Sequence, residues 1–377
     1  MPDKAIVIGA GIIGLATARA LAARGAAVTV LERGPKAQGA SIRNFGMIWP
    51  VGQPDGGMYE MAMASRSIWS AMAKEAKIWY DPVGSIHLAY NKEEWNVLEE
   101  MATLMGHRNY SLLRGNDALK QSGAIVGKGL EGALYSPHEM IVDPRKAIAI
   151  IPEWLTEKYG VRFYWGKAAT HITYPAVHTE EEVFKADEIY VCSGADFETL
   201  YPSVYSASPL TKCKLQMMRM IAQPDNWRMG PALCGGLSLI HYNSFKAASS
   251  LPSLKKKYED EYPDYIKWGI HVMAAQNQEG QITIGDSHEY GAAPEPFDKQ
   301  LINQLILDYL GCFASFPNQA IIETWNGVYA KLTNGESYII AEPEQGVTII
   351  NGLGGAGMTL SFGLCEKVVT RNHALSA

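Results

Sequence analysis

Apolar residues are grouped in short runs near both ends of the chain. Residues 5–8 form one such run, which predicts a buried parallel strand, and the Ala-rich segment behind it predicts a helix. A second run at 27–31 completes a strand-helix-strand unit. Near the other end, Val347–Asn351 predicts a further buried strand, followed by a helix that begins near Ser361. Both ends of the chain therefore predict parallel-sheet structure.

The middle of the chain shows two other periodicities. Apolar residues at helical spacing predict helices at 58–77, 92–105, 144–159 and 299–316. Alternating apolar and polar residues predict strands at 213–222, 235–242, 269–275, 281–286 and 321–329. An apolar strand at 186–192 ends in a glycine turn, which indicates that the chain returns there to the parallel sheet.

These elements predict an α/β protein, α+β overall, with two discontinuous domains. Residues 1–77, 138–206 and 330–377 are expected to form a Rossmann-like domain around a parallel sheet. Residues 78–137 and 207–329 are expected to form a mainly antiparallel β domain that binds the substrate. A chain of 377 residues supports two domains, because it is too long for one ordinary hydrophobic core.

The turn after the first strand carries a dinucleotide-binding pattern. Gly9 allows the tight turn, Gly11 lets a pyrophosphate approach the backbone, and Gly14 lets the helix pack close to the strand. Glu32 ends the second strand, where a carboxylate accepts hydrogen bonds from an adenosine ribose and disfavours a 2′-phosphate. The first 32 residues therefore predict a dinucleotide site.

A second glycine-rich turn, at 352–360, follows the C-terminal strand. Its N–H groups and the positive end of the following helix suit negative charge, such as that on a reduced isoalloxazine ring. NAD needs only the first glycine turn, whereas FAD needs a pyrophosphate site and a ring site. The segment 39–50, placed after the second strand, is interpreted as a cofactor loop, in which Ser41 suits a phosphate and Arg43 suits the flavin or an anionic substrate.

Composition excludes several classes of protein. With 47% hydrophobic and 19% charged residues, the chain is expected to be soluble, and no apolar stretch is long enough to span a bilayer. The net charge of −6 gives no overall attraction for nucleic acid or anionic lipid. Five scattered cysteines without C-x-x-C spacing argue against disulfides and zinc, and the first strand leaves no room for a signal peptide. A cytoplasmic protein is expected.

Several motifs resemble the FAD-dependent amine oxidoreductases that include D-amino-acid oxidase, glycine oxidase and sarcosine oxidase. The matching segments follow the family's order and are 9–14 with 32–33, 40–47, 143–145, 192–195 and 354–359. The resemblance implies that Gly11 and Ile13 meet the pyrophosphate, Glu32 the ribose, Ala169 the adenine and Met47 the flavin face. It also implies that residues 355–359 hold the pyrimidine edge of the flavin.

Residue patterns and the resemblance together give a predicted FAD site. Its members are Gly9, Gly11, Ile13, Gly14, Glu32, Arg33, Ser41, Arg43, Asn44, Gly46, Met47, Ala169, Gly194, Gly354, Gly355, Gly357, Met358 and Thr359.

Two departures from the family pattern concern the substrate. The family's carboxylate-binding Arg aligns with Tyr329, and its partner Tyr aligns with His271, which disfavours a simple α-amino acid oxidase. Sarcosine oxidases attach flavin through a Cys in the region where this chain has Ala330-Lys331, and they place a Lys in the last glycine loop, where this chain has Thr359. Non-covalent FAD and no sarcosine-type pocket are therefore expected.

Three segments, 41–50, 213–219 and 285–290, resemble a subgroup proposed to oxidise aminophosphonates of the 2-aminoethylphosphonate type. The implied reaction transfers a hydride from a small primary or N-methylated amine to flavin N5, hydrolyses the imine to an aldehyde and reduces O₂ to H₂O₂. No protein base is required beyond the flavin. The predicted substrate residues are Arg43, Trp49, His271, Tyr329 and Lys331.

Other functions remain open at this point. A glycine, sarcosine or D-amino acid oxidase, and a dehydrogenase that uses another electron acceptor, share the same motifs, and a non-catalytic nucleotide-binding protein shares the first glycine turn. Arg219 and His241 suit an anion but are better interpreted as structural residues. The histidines show no metal-ligand spacing, so no metal is expected, and 286–288 cannot form a hydrolase triad because adjacent strand residues point to opposite faces.

Overall fold

The computed structural model describes the backbone of residues 3–376 and the side chains of residues 3–371. Its helices are α1 Ile12–Ala23, α2 Gly57–Glu75, α3 Lys92–Leu104, α4 Asn116–Leu119, α5 Pro144–Tyr159, α6 Pro202–Ala207, α7 Leu237–His241, α8 Leu251–Glu261, α9 Pro263–Lys267, α10 Gln300–Phe313 and α11 Gly357–Ser376. Its strands are β1 Lys4–Ile8, β2 Ala27–Glu32, β3 Met47–Ile48, β4 Tyr80–Asp81, β5 Ser85–Ala89, β6 Ser111–Leu113, β7 Gly132–Ser136, β8 Met140–Val142, β9 Arg162–Trp165, β10 His171–Thr173, β11 Ala176–His178, β12 Val183–Lys185, β13 Glu188–Val191, β14 Leu210–Met220, β15 Ala232–Cys234, β16 Met273–Gln276, β17 Ile282–Gly285, β18 Glu289–Gly291, β19 Ile321–Leu332, β20 Ile339–Glu344 and β21 Val347–Asn351.

A six-stranded sheet joins the two ends of the chain in the order β20-β21-β13-β1-β2-β9. β1 pairs in parallel with β2 and β13, and β13 pairs in parallel with β21, whereas β20 is antiparallel to β21. The inner strands β1, β2, β13 and β21 are mostly buried because both faces of the sheet are covered, whereas the edge strands β9 and β20 carry exposed charged residues. α1 and α11 pack beside each other in the same core. The predicted α/β fold with a parallel sheet is confirmed.

A larger sheet follows the order β18-β14-β17-β16-β15-β5-β7-β6, with β19 added beside β14. Its neighbouring strands pair antiparallel, except that β15 and β5 are parallel. The alternating pattern predicted a mainly antiparallel sheet of this kind. The long β14–β19 pair sets Tyr329 opposite Cys213. Strands from residues 85–136 and 210–332 build this sheet, but the exact domain division of the sequence analysis stays a prediction.

The strand predicted at 235–242 is wrong. β15 ends at Cys234, and the segment after it turns into the short helix α7. Gly235 and Gly236 end the strand, and the Ser238 hydroxyl donates to the Gly235 carbonyl at 2.7 Å. A Cβ atom at Gly235 would lie 2.7 Å from the rings of Tyr309 and Phe313, so the close packing of α10 requires glycine there. This change moves His241 from a strand face to a helix end.

Two further observations concern the helices and the cysteines. Within residues 3–376, no helix is long and apolar enough to cross a bilayer. All five cysteines are free thiols, four of them buried and Cys312 exposed.

Candidate active site

One cavity of about 1360 Å³ lies between the parallel sheet and the antiparallel sheet. It is larger than the roughly 300–1,000 Å³ of ordinary ligand pockets. Of the residues predicted from the sequence, those that line it are Gly9, Gly11, Ile13, Glu32, Arg33, Ser41, Arg43, Asn44, Met47, Trp49, Ala169, Gly194, His271, Tyr329, Lys331, Gly354, Gly355, Gly357, Met358 and Thr359. The fold therefore brings residues from both glycine turns to one space.

The first glycine turn has the close contacts that its pattern requires. Gly9 has φ +102°, and a Cβ atom there would lie 2.5 Å from the Cys192 carbonyl oxygen. A Cβ at Gly14 would lie 1.8 Å from the Gly9 carbonyl oxygen, so this glycine packs behind the cavity wall instead of lining it. Gly11 caps α1 and faces the cavity, where backbone N–H groups at a helix N-terminus suit phosphate oxygens.

Glu32 lies at the mouth of this turn. Its carboxylate accepts hydrogen bonds from the Ala10 N–H at 2.8 Å and the Gly34 N–H at 2.9 Å. A carboxylate has about four lone-pair sites, so two remain for a ribose. The neighbouring Arg33 is exposed and pairs with Asp196 at 2.7 Å. Glu32 thus both shapes the turn and offers acceptors to the cavity.

The loop at 40–49 is held by its own side chains. The Asn44 amide donates to the carbonyls of Ala40 and Ser41 at 3.0 Å and accepts from the Gly46 N–H at 2.8 Å. Gly46 has φ +75°, and a Cβ there would lie 2.0 Å from the Val142 carbonyl oxygen. Like Gly14, Gly46 packs behind the wall instead of lining it, because the chain approaches β8 too closely for a side chain.

The second glycine turn completes the wall. It runs from β21 into α11, which begins at Gly357, closer to the turn than predicted. The Thr359 hydroxyl accepts from the Trp49 N–H at 2.9 Å, joining this turn to the loop at 40–49. The Asn351 amide donates to the Gly194 carbonyl at 2.8 Å. Two helix N-termini therefore face one cavity from different sides, one suited to a pyrophosphate and one to the anionic edge of a ring.

The polar end of the cavity is formed by the antiparallel sheet. The rings of His241 and His271 are stacked with centroids 3.7 Å apart, and the His288 ring lies 4.6 Å from His241 and 5.1 Å from His271. Nδ1 of His271 is 2.8 Å from Oδ1 of Asp286, although the two atoms are not aligned as a hydrogen bond. We define the histidine cluster as His241, His271 and His288.

Two more predicted substrate residues border the histidine cluster. The Lys331 ammonium donates to the Tyr290 hydroxyl at 3.1 Å, and the Lys331 backbone bridges to Leu353 beside the second glycine turn. Tyr329 is buried, and its hydroxyl lies 3.7 Å from the position of a Cβ at Gly355. Burial raises the pKa of Tyr329 well above its usual range, so its hydroxyl stays neutral.

The sequence patterns did not predict every residue at the polar end of the cavity. The spacing of His241, His271 and His288 gave no sign that the three residues meet, and His241 was interpreted as structural. Arg219, considered with it, is buried and does not line the cavity; its guanidinium lies 3.4 Å from the Thr283 hydroxyl. Two features of the sequence could have indicated the cluster. Gly235 and Gly236 end β15 early, and Asp286 and His288 are two residues apart, a spacing that places side chains on one face of an extended chain.

Phosphate and ring sites on two helix N-termini around one cavity define a flavin-dinucleotide-binding protein. A family model described as "DAO: FAD dependent oxidoreductase" matches residues 4–371, and the chain belongs to this family.

Three similar proteins illustrate the family. The chain is 27% identical over 252 residues to the tRNA 5-methylaminomethyl-2-thiouridine biosynthesis bifunctional protein MnmC of Nitrosospira multiformis, a match that covers 62% of this chain and 39% of that protein. The L-proline dehydrogenase of P. horikoshii superposes with a TM-score of 0.78 at 18% identity, over 99% of this chain and 95% of that one. The glycine oxidase of Geobacillus kaustophilus superposes with a TM-score of 0.73 at 18% identity, over 98% of this chain and 94% of that one. These structures share the fold.

FAD is thus the cofactor of this fold, and the residues present fit it. Backbone at Gly9 and Gly11 is open to the cavity beside Glu32, and the second glycine turn lies on the same cavity. The volume exceeds that of an ordinary ligand pocket, which leaves room for a substrate beside a dinucleotide.

Proposed function

We propose that the protein oxidises a small primary or N-methylated amine that carries an anionic head group, most simply a phosphonate of the 2-aminoethylphosphonate type. The observation that carries the proposal is the polar end of the cavity, where three imidazoles and the Lys331 ammonium gather around the Asp286 carboxylate. A phosphonate has three acceptor oxygens, and dispersed N–H donors match it better than they match a planar carboxylate.

The position of Tyr329 supports the same choice. A buried carboxylate calls for a bidentate Arg, because leaving such a charge poorly paired costs several kcal/mol. Tyr329 occupies the position where the resemblance placed that Arg, and a neutral hydroxyl cannot replace the charge. Arg43 also lines the cavity, with Nη1 3.2 Å from the Asn326 carbonyl oxygen. Positive charge is therefore spread around the substrate space.

The reaction balances with water and an electron acceptor. FAD, held at the two glycine turns, would supply the hydride acceptor for the carbon that bears the nitrogen. The amine loses its N–H proton, the imine adds water, and an aldehyde and ammonia or methylamine leave. The protein binds the anionic head at the histidine cluster, and the Trp49 ring, 6.2 Å from the Tyr242 ring, closes an apolar side. These contacts orient the amine, and orientation supplies much of the rate. We propose O₂ as the acceptor, with H₂O₂ as product, and non-covalent FAD.

The relatives support an amine substrate but differ among themselves. One similar structure is named a glycine oxidase and another an L-proline dehydrogenase. A glycine, sarcosine or D-amino acid oxidase, or a dehydrogenase with another acceptor, therefore remains the alternative.

Substrate choice is tested by anaerobic mixing of the yellow holoenzyme with one amine at a time. We expect 2-aminoethylphosphonate or its N-methyl derivative to bleach the flavin faster than glycine, sarcosine or D-alanine at equal concentration, because only the phosphonate fills the polar end. Stopped-flow absorbance measures the rate. Faster bleaching by glycine or D-alanine would contradict the phosphonate proposal, and oxygen uptake in the aerobic reaction separates oxidase from dehydrogenase.

Two substitutions test the residues at the polar end. We expect Tyr329→Phe and His271→Ala each to lower kcat/KM for the best amine by about tenfold or more, roughly 1.4 kcal/mol of transition-state stabilisation, with unchanged flavin content. Tyr174→Phe is the matched control, since Tyr174 donates to the Asp187 carbonyl outside the cavity. Full activity in both cavity variants would exclude these residues from the substrate site.

A further inference from the structure

The histidine cluster has an unusual charge environment. Burial, and then the charges of the other two histidines, hold the pKa of His241 well below its usual range. Burial also lowers the pKa of His288 to about 4, although the Asp286 carboxylate acts in the opposite direction. These two rings are therefore neutral near pH 7 in the absence of a ligand.

The hydrogen-bond partner of His288 determines which of its ring nitrogens carries the proton. Nδ1 of His288 lies 2.9 Å from the Gly269 carbonyl oxygen, which only accepts hydrogen bonds. Nδ1 therefore carries a proton, and Nε2 of the neutral ring has a free lone pair. A proton added at Nε2 would turn this atom into a charged donor within the cluster, in which one ring nitrogen from each histidine lies within 4.8 Å of the other two.

A shared metal ion fits this arrangement poorly. The lone pair of an imidazole nitrogen lies in the plane of its ring, and a metal binds in that direction at about 2.0–2.1 Å. The His241 and His271 rings are stacked 3.7 Å apart with planes only 20° from parallel, so their lone pairs do not converge on one point. Donated N–H groups need no such convergence, because each can reach a different oxygen of a tetrahedral anion.

We propose that the histidine cluster is a proton-coupled binding site for a dianionic phosphonate head, which takes up one proton from solvent when the head binds. This inference rests on the proposed function. The proton adds to an imidazole lone pair, and the resulting imidazolium donates to a phosphonate oxygen. A protonated imidazole in the cluster is disfavoured by burial and by charge on the other histidines, and the attraction of the dianion offsets this cost, so the affinity of His241 and His288 for a proton rises.

The carboxylate, tyrosines and cysteine at this end do not supply that proton between pH 7 and 9. The groups facing the cluster are Asp286, Lys331, Tyr242, Tyr290, Tyr329 and Cys213. Burial raises the pKa of each of the three tyrosines, and it raises that of Cys213 to about 11. Burial alone would raise the pKa of Asp286, but His271 and His288 outweigh it and lower that pKa, so the carboxylate stays ionised.

Methylphosphonate, which has no amine to oxidise, tests the proposal in the holoenzyme. Isothermal titration at pH 9, where free methylphosphonate is itself a dianion, in two buffers of different ionisation enthalpy counts the protons exchanged, and the flavin absorption spectrum reports binding. We expect uptake of close to one proton and about tenfold weaker binding for each pH unit above 9, since the bound state holds one proton more. Methanesulfonate, a tetrahedral monoanion, is expected to bind at least about tenfold more weakly.

Variants locate the proton. His241→Asn and His288→Asn are each expected to weaken methylphosphonate binding about tenfold or more and to lower the proton uptake. His178→Asn is the matched control, because His178 stacks on His171 at 4.1 Å away from the cavity. Flavin content reports folding, and if His288→Asn lacks FAD, His241→Asn, at the last residue of α7, decides the result.

The outcomes separate the two proposals. Binding without proton uptake, unchanged uptake in both cluster variants, or no binding of methylphosphonate would overturn the proton-coupled site, even if an aminophosphonate bleaches the flavin. Stoichiometric metal in the purified protein, with binding lost on adding EDTA, would overturn it in favour of a metal centre. Methylphosphonate binding with proton uptake, but no flavin bleaching by any aminophosphonate, would support the site and contradict the proposed substrate.

Discussion

Gly11→Val is expected to yield protein that folds but holds almost no FAD. Gly11 has φ −71° and ψ 176°, a conformation that valine also adopts, so the backbone is not strained. The new Cβ would lie 3.1 Å from the Ser41 hydroxyl oxygen, which accepts from the Ile12 N–H at 2.9 Å. The side chain would fill the space through which a pyrophosphate reaches the helix N-terminus. We expect the affinity for FAD to fall at least about 100-fold, roughly 2.8 kcal/mol.

Gly57→Val is the matched control for this substitution. Gly57 is the first residue of α2, and no other described atom lies within 4 Å of a Cβ placed there. Flavin released by heat denaturation is measured in the supernatant, and circular dichroism checks the fold. Normal flavin content in Gly11→Val would show that the phosphates bind elsewhere. Flavin that stays on the denatured polypeptide would contradict non-covalent binding.

Glu139→Gln is expected to stabilise the protein at alkaline pH. The Glu139 carboxyl is buried; it accepts from the Val51 N–H and the Ser85 hydroxyl, both at 2.9 Å. Burial raises its pKa from 4.5 to about 7. Because the folded-state pKa is raised, deprotonation favours the unfolded chain between pH 4.5 and 7. The free energy of unfolding therefore falls with rising pH through this interval, by up to about 3 kcal/mol.

Glutamine removes this pH dependence and keeps the hydrogen bonds. Its carbonyl can accept from Val51, and its amide can donate to the Ser85 hydroxyl oxygen. We expect the Tm of Glu139→Gln relative to wild type to rise between pH 5 and pH 8, as measured by thermal unfolding of the holoenzyme. Glu157→Gln, at an exposed position of α5, is the control and should show no such trend. A Tm difference between variant and wild type that stays constant from pH 5 to pH 8 would contradict the raised pKa of Glu139 in the folded protein.

Local patterns in the sequence predicted the helices and strands whose conformation depends only on their own residues and on which of their faces is buried. The strand at Val347–Asn351 was predicted with its observed bounds, and the helix after Asp143 begins with that residue as N-cap and Pro144 in the first turn. The two glycine turns were recognisable because phosphate and ring sites need backbone without side chains. Parallel strands place their turns at one sheet edge, so the meeting of both turns was also predictable.

Other features depend on contacts between segments that are distant in the sequence. Only the tertiary structure decided these features. Whether residues 235–242 extend as a strand was settled by the packing of Tyr309 and Phe313 against Gly235, far away in sequence. Gly46 was expected beside the cofactor, but a Cβ atom there would lie 2.0 Å from the Val142 carbonyl oxygen, so Gly46 packs against backbone behind the cavity wall.

The histidine cluster is the clearest case of this kind. His241 comes from α7, His271 from the segment before β16 and His288 from the segment before β18. No sequence period connects these elements, because their spacing is set by sheet pairing and by the turn after β15. The sequence by itself therefore determined the cofactor and the fold class, which depend on local backbone chemistry. The charge environment of the histidine cluster was decided by the tertiary structure, because electrostatic coupling depends on distances across the fold.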